Sequence, residues 1–253
     1  MRIFLKTEDE IILLRAASQL ATRALIEVGR HVVPRLALSH LRNKVVNAVM
    51  RTVPTESNSG KEALSSDTEF TFFVNGAYIE PSLEGECMLC ECDWLTVNCW
   101  VCLDGYYSFG AHTFIVGSSQ DDEPMTSTLR DMLRQVVRRA SAGHSIKEMS
   151  RTVYSLHSHD PYVLLKTFGH GVGRNRVENP ILRMNPEVND TVLLKEGMCL
   201  VIALAFKHGR SHFIKPRLMH ESTFHNPFVP FGTTVVVRPG RPEILTSFET
   251  IVK

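Results

Sequence analysis

Two groups of residues in this chain have types and spacings that could do chemistry. Five of the six cysteines fall between Cys87 and Cys102, and Cys87-x-x-Cys90 and Cys99-x-x-Cys102 have the pairwise spacing of a tetrahedral zinc site. Farther along, Gly169-His170-Gly171-Val172-Gly173 sets one imidazole among small residues, and Glu178-Asn179-Pro180 brings a carboxylate close behind it. An imidazole and a carboxylate are the usual groups of acid–base catalysis. The three glycines do not make a phosphate loop, because no Lys-Ser/Thr pair follows them. His208, His212, His220 and His225 lack the His-x-x-x-His spacing of a helical metal site and read as loop and strand histidines.

The elements that must position these groups follow from pattern. Thr7-Glu8-Asp9-Glu10 has the form of a capping box, and Ile11, Leu14, Ala21, Leu25 and Val28 recur near helical spacing behind it. The pattern predicts a helix over 8–31 and a second over 39–51. Residues 54–68 read as a polar loop. Phe70 to Val74 and Asp93 to Cys102 read as strands. Asp104-Gly105 is a hairpin turn from which Tyr106 to Gly117 returns antiparallel. Helices are predicted from Thr126 to Ala142, stopped by Gly143, and from a second capping box, Ser145-Ile146-Lys147-Glu148, to about Ser158. Cys199 to Phe206 reads as a buried strand, and Thr233–Arg238 with Glu243–Thr246 as a final hairpin. Helices grouped against antiparallel strands make an α+β pattern.

Bulk properties narrow the function classes. The 253 residues are 43% apolar and 22% charged, enough for a large core, and the net charge is +1. That balance argues against nucleic acid or a membrane surface as partner. The longest apolar run, Met198 to Phe206, is far short of the roughly 20 residues a membrane helix needs. Without a signal-peptide pattern, the expectation is a cytoplasmic protein with reduced thiols.

Phe4-Leu5-Lys6-Thr7-Glu8-Asp9-Glu10-Ile11, Asp104-Gly105-Tyr106, Thr113-Phe114-Ile115-Val116-Gly117, the Gly169–Gly173 stretch and Leu193-Leu194-Lys195-Glu196-Gly197-Met198 occur in an order that resembles type I methionine aminopeptidases. These are the small members of the pita-bread metallopeptidase family. The resemblance runs from the first helix to Glu243–Phe248. It implies an α+β pita-bread (creatinase/aminopeptidase) fold, with 1–253 as a single domain of two pseudo-symmetric halves, helices packed on antiparallel sheet. It also implies a pocket between the halves in which two divalent ions, such as Mn, Co, Fe or Zn, are held by two Asp, one His and two Glu and activate a bridging water.

Carried over position by position, that ligand set falls on Asn98, Phe109, His170, Ala203 and Gly232, and the family's substrate-gripping histidines fall on Val177 and Glu80. One ligand of five is kept. Asn98 is a neutral substitute, and apolar Phe109, Val177 and Ala203 are expected to fill the cavity. No dinuclear metal or other cofactor is therefore expected. The resemblance implies a pseudoenzyme, a non-catalytic protein that binds a peptide or protein partner. The alternative is an active aminopeptidase or dipeptidase with relocated ligands or metal-free chemistry, drawing on Glu80, His170 and Glu178. A zinc site on Cys87, Cys90, Cys99 and Cys102 is the lesser rival. Cys99 and Cys102 lie three apart in one strand and so face opposite sides.

Overall fold

The computed structural model describes residues 2–53, 64–117, 124–157, 163–164, 167–187, 192–207 and 228–247. Helix α1 spans Glu8–His31, and its capping box is formed as the sequence predicts: Glu10 N–H donates to Thr7 Oγ1, and Thr7 N–H to the Glu10 carboxylate. Its apolar stripe packs on the sheet and on α2, Leu38–Thr52, which buries Leu38, Leu41, Val45 and Val49. Strands β1, Glu69–Val74, and β2, Ala77–Ile79, form a hairpin across Asn75 and Gly76, both at positive φ. The long hairpin β3, Trp94–Leu103, and β4, Tyr106–Ile115, turns at Asp104 and Gly105.

The second half repeats the plan. Helices α3, Pro124–Arg138, and α4, Ile146–His157, precede β5, Val163–Leu164, β6, Thr167–Gly171, β7, Glu178–Arg183, β8, Cys199–Lys207, β9, Phe228–Val236, and β10, Glu243–Ile244. The Ser145–Glu148 capping box opens α4. Strand β9 begins five residues before the predicted Thr233. Pro230 and Gly232 read as breakers in the sequence, yet both pair within an antiparallel ladder with β8 that runs from Phe228 to Val236. The predicted loop residues 54–63, the acidic run at 121–123 and the four histidines from His208 to His225 lie outside the described residues.

Among the described residues the strands form one ten-stranded antiparallel sheet, in the order β2-β1-β3-β4-β9-β8-β6-β7, with β5 on β8 and β10 on β9. One apolar core lies between α1, α2 and the β1–β3–β4 region. A second lies between α3, α4 and β6 to β9. The halves meet where β4 and β9 pair at Ala111 and Gly232. This is the α+β, two-half architecture expected, and no described helix is long and apolar enough to cross a membrane.

The sheet is strongly curled. Trp100 on β3 and His170 on β6 are four strands apart, roughly 19 Å in a flat sheet at about 4.8 Å per strand. Their rings nevertheless stack with centroids 6.1 Å apart. The curl makes one sheet face concave, so that the two halves face each other across what is here called the pocket.

The Asp104–Gly105 turn isolates a backbone cost. Gly105 has φ +77°, and a Cβ there would meet nothing within 4 Å. Gly105→Ala is expected to destabilise by about 1–2 kcal/mol through the left-handed conformation alone, read by chemical denaturation.

Candidate pocket between the two halves

Asn98, Trp100, Phe109 and Ala111 project to the pocket face of β3 and β4, because alternate strand residues share a face and Trp100 pairs with Phe109, Asn98 with Ala111. Ala203 of β8 pairs with Gly232 of β9, which pairs with Ala111. The structure thus brings together Asn98, Phe109, Ala203 and Gly232, and His170 reaches the same space through Trp100.

The Phe109 ring occupies the centre of this group. A Cβ at Gly232 would lie 2.6 Å from Phe109 Cε1 and 3.0 Å from Ala203 Cβ. The ring also packs on Trp100, with centroids 4.8 Å apart. Its main chain is pinned by one hydroxyl: Thr234 Oγ1 accepts the Phe109 N–H at 2.8 Å and donates to the Phe109 carbonyl at 2.9 Å. Phe109 is 7% exposed. Beside it, Asn98 Oδ1 is buried with no hydrogen-bond partner.

His170 Nδ1 lies 2.9 Å from the Gly171 carbonyl. A carbonyl only accepts, so Nδ1 carries the proton in this bond and Nε2 keeps the lone pair of the neutral ring. Burial pushes the His170 pKa below its ordinary value, against a smaller opposite effect of the Gly171 bond.

Three expectations need correction. Val177 does not fill the cavity: it is 58% exposed, on the turn between β6 and β7 where the chain faces solvent. Glu178 is not poised as an acid–base partner of His170. Its carboxylate is buried with Lys6, accepting from Nζ at 2.5 Å, and also accepts the Asn175 N–H at 3.1 Å. Both groups are about 5% exposed, so the pair ties the N-terminal segment to β7. Glu80 is exposed beyond the end of β2, the outermost strand, and precedes a 3-10 turn at Pro81–Leu83.

The four cysteines do not converge. Among the described residues no three His, Cys, Asp or Glu side chains approach as a metal site would require. Cys99 is buried in the helix-facing core and its thiol is pushed up by desolvation. Cys87 is half-buried, raised to about 11 by desolvation first and by Asp93 second, and Cys90 is exposed. Opposite pleat directions separate Cys99 from Cys102.

The sequence reading missed Lys6, Trp100, Tyr107 and Arg176. Trp100 could have been found from its position two residues after Asn98, on the same strand face. Arg176 and Lys6 carry no local signal, since each acts on a residue far away in the chain.

Residues 12–239 match the metallopeptidase family M24. The chain is 28% identical over 220 residues to a methionine aminopeptidase of Helicobacter pylori (strain ATCC 700392 / 26695), covering 83% of this chain and 85% of that one. It superposes on the crystal structure of methionine aminopeptidase from Thermotoga maritima with a TM-score of 0.79 at 20% identity, over 97% of this chain and 100% of that one. The N-terminal domain of FACT complex subunit SPT16 from Cicer arietinum (chickpea) has the same fold, with a TM-score of 0.72 at 17% identity over 98% of this chain and 60% of that one.

Two measurements check the pocket. Gly232→Ala is expected to destabilise by about 1–3 kcal/mol through overpacking, and to cost distinctly less in a Phe109→Ala background. Denaturant midpoints of the two single variants and the double variant decide this. The lowered His170 pKa means that the unfolded chain takes up that proton first. Its contribution is therefore intact above about pH 6.5 and lost as the pH falls through the folded value. The stability–pH curve of His170→Gln should be flatter in that window, and imidazole titration by NMR should place the His170 midpoint below 6.5.

Proposed function

Because the chain belongs to metallopeptidase family M24, we propose that it is a methionine aminopeptidase-like protein without dinuclear metal catalysis, acting instead by binding a peptide or protein partner. One observation carries the reading. The Phe109 ring lies where a side chain on Gly232 would have to go, so two of the five positions to which the resemblance assigns ligands exclude each other.

The residues present do not fit a pair of dications. Two closely spaced ions of that charge need several carboxylates, as ligands and as counter-charge. Asn98, Phe109, Ala203 and Gly232 supply no negative charge, and His170 is a single neutral donor. Asn98 Oδ1 remains an acceptor without a partner, but one amide oxygen and one imidazole leave the set incomplete. The tight contact of Phe109 with Gly232 and Trp100 also supports a closed pocket over one with relocated ligands. Glu178, which metal-free acid–base chemistry would draw on, is bound to Lys6.

Binding as the remaining role is supported by the fold itself, which recurs in a chain named as a subunit of a complex, although fold alone does not fix function. The near-neutral charge disfavours nucleic acid and membrane surfaces as that partner. The cytoplasm is the compartment in keeping with six free cysteines.

The test is elemental mass spectrometry on protein purified without chelator, together with methionine release from Met-Ala peptides in added Mn, Co, Fe or Zn. The expected result is no stoichiometric metal and no turnover. Two equivalents of metal, or turnover lost in His170→Ala, would overturn the proposal.

A further inference from the structure

The loop between β6 and β7 places Arg176 against the other half of the molecule. The guanidinium carbon lies 5.7 Å from the Trp100 ring centroid and 5.8 Å from that of Tyr107. One terminal nitrogen donates to Glu69 Oε2 at 2.8 Å, and the other donates to the Asp67 main-chain oxygen. Glu69 is the cross-strand neighbour of Trp100, so carboxylate and indole share one face. The Asp67 carboxylate accepts the Tyr107 hydroxyl at 2.5 Å, which fixes the phenol ring beside the guanidinium. The Arg176 bond is the main reason that the Glu69 carboxyl is held below the usual range.

The receptor for Arg176 comes entirely from residues 67–107. Two ring surfaces, a carboxylate and a carbonyl are what a planar, multiply donating cation requires. A lysine ammonium would satisfy the carboxylate but could not stack flat on the rings while donating in two directions. Arg176 stays partly open to solvent. Its side chain is 35% exposed, and Arg174, Asn175 and Val177 around it are exposed.

We propose that Glu69, Asp67, Trp100 and Tyr107 form a binding site for an arginine side chain of a partner polypeptide, and that Arg176 fills this site in the free protein as an internal stand-in. The proposal rests on the reading of the protein as a polypeptide-binding member of its family. A tethered occupant competes at high effective concentration, so the site is masked until a partner's arginine, supported by further contacts, displaces the loop. The pocket mouth is then a regulated docking point rather than an entrance to a reaction centre.

The test uses N-acetyl-argininamide as probe, titrated calorimetrically into the full chain and into Arg176→Ala. The variant is expected to bind it at least about ten-fold more tightly than the unaltered protein, because the tethered competitor is gone. The citrulline counterpart, of similar shape but uncharged, should not bind, and adding Glu69→Gln to Arg176→Ala should abolish the gain. Equal affinity with and without Arg176, or binding of citrulline as well as arginine, overturns the proposal. If thermal melting shows that Arg176→Ala has lost its fold, Arg176→Gln carries the same comparison. Metal content and turnover do not involve Arg176, and argininamide binding does not involve metal, so this proposal and the functional reading fail separately.

Discussion

The close approach of β4 and β9 is the constraint on which the rest of the molecule depends. Each half has its own helices and its own core, and the sheet is continuous only because these two strands meet. The meeting leaves no room on either face. On the helix side a Cβ at Gly110 would lie 2.6 Å from Thr246 Cγ2 and 3.0 Å from Leu25 Cδ1, and on the pocket side Gly232 lies beneath the Phe109 ring. Across the seam Ala111 pairs with Gly232, and two residues along β4, at Phe109, a side-chain hydroxyl takes over the hydrogen bonding. Thr234 serves both main-chain groups of Phe109, and Ser108 joins Ser18 of α1 to Thr234 and Thr246. Buried hydroxyls with all partners met can substitute for a ladder without leaving polar groups stranded.

From that seam the pocket follows. Curling about β4 and β9 swings β6 round to face β3, and the gap is spanned by contacts between the halves: Trp100 on His170, Arg176 on Glu69 and Trp100, Lys6 on Glu178. Each spanning residue is aromatic or charged, so the halves are held by directional contacts at the rim and by apolar packing at the base. The Lys6–Glu178 pair is costly to bury and is retained with short, complementary geometry, which favours a single relative placement of the N-terminal segment and β7.

Much of this was legible in the sequence where the determinant is local. The capping boxes at Thr7 and Ser145, the Asp104-Gly105 turn and the stripe of α1 all act within a few residues, and the structure places them accordingly. Asn75-Gly76 carried the same kind of hairpin signal and was not read as one. The start of β9 was hidden because Pro230 and Gly232 are breakers by propensity. In place, Gly232 is demanded by the seam and Pro230 pairs with Ala205 while its carbonyl accepts from Thr113. The pocket positions Asn98, Phe109, Ala203 and Gly232 were reached through resemblance, and the structure brings them together. The surroundings of Glu178 and Val177 depend on Lys6 and on the path of a turn, which no local pattern encodes. The cysteine spacing misled for a related reason: x-x spacing has meaning on a turn, whereas on a strand it divides a pair between two faces.

The contact between Phe109 and Gly232 also couples the substitutions open at the two positions. A side chain at 232 forces the ring to shift, by more the larger it is, and a smaller residue at 109 on its own would leave a void beside Trp100. Changes toward a charged pair at these positions therefore pass through an intermediate less well packed than either end, and the order 109 before 232 avoids the clash. A packing contact of one ring on one α-carbon acts as a ratchet on the substitutions open to this fold.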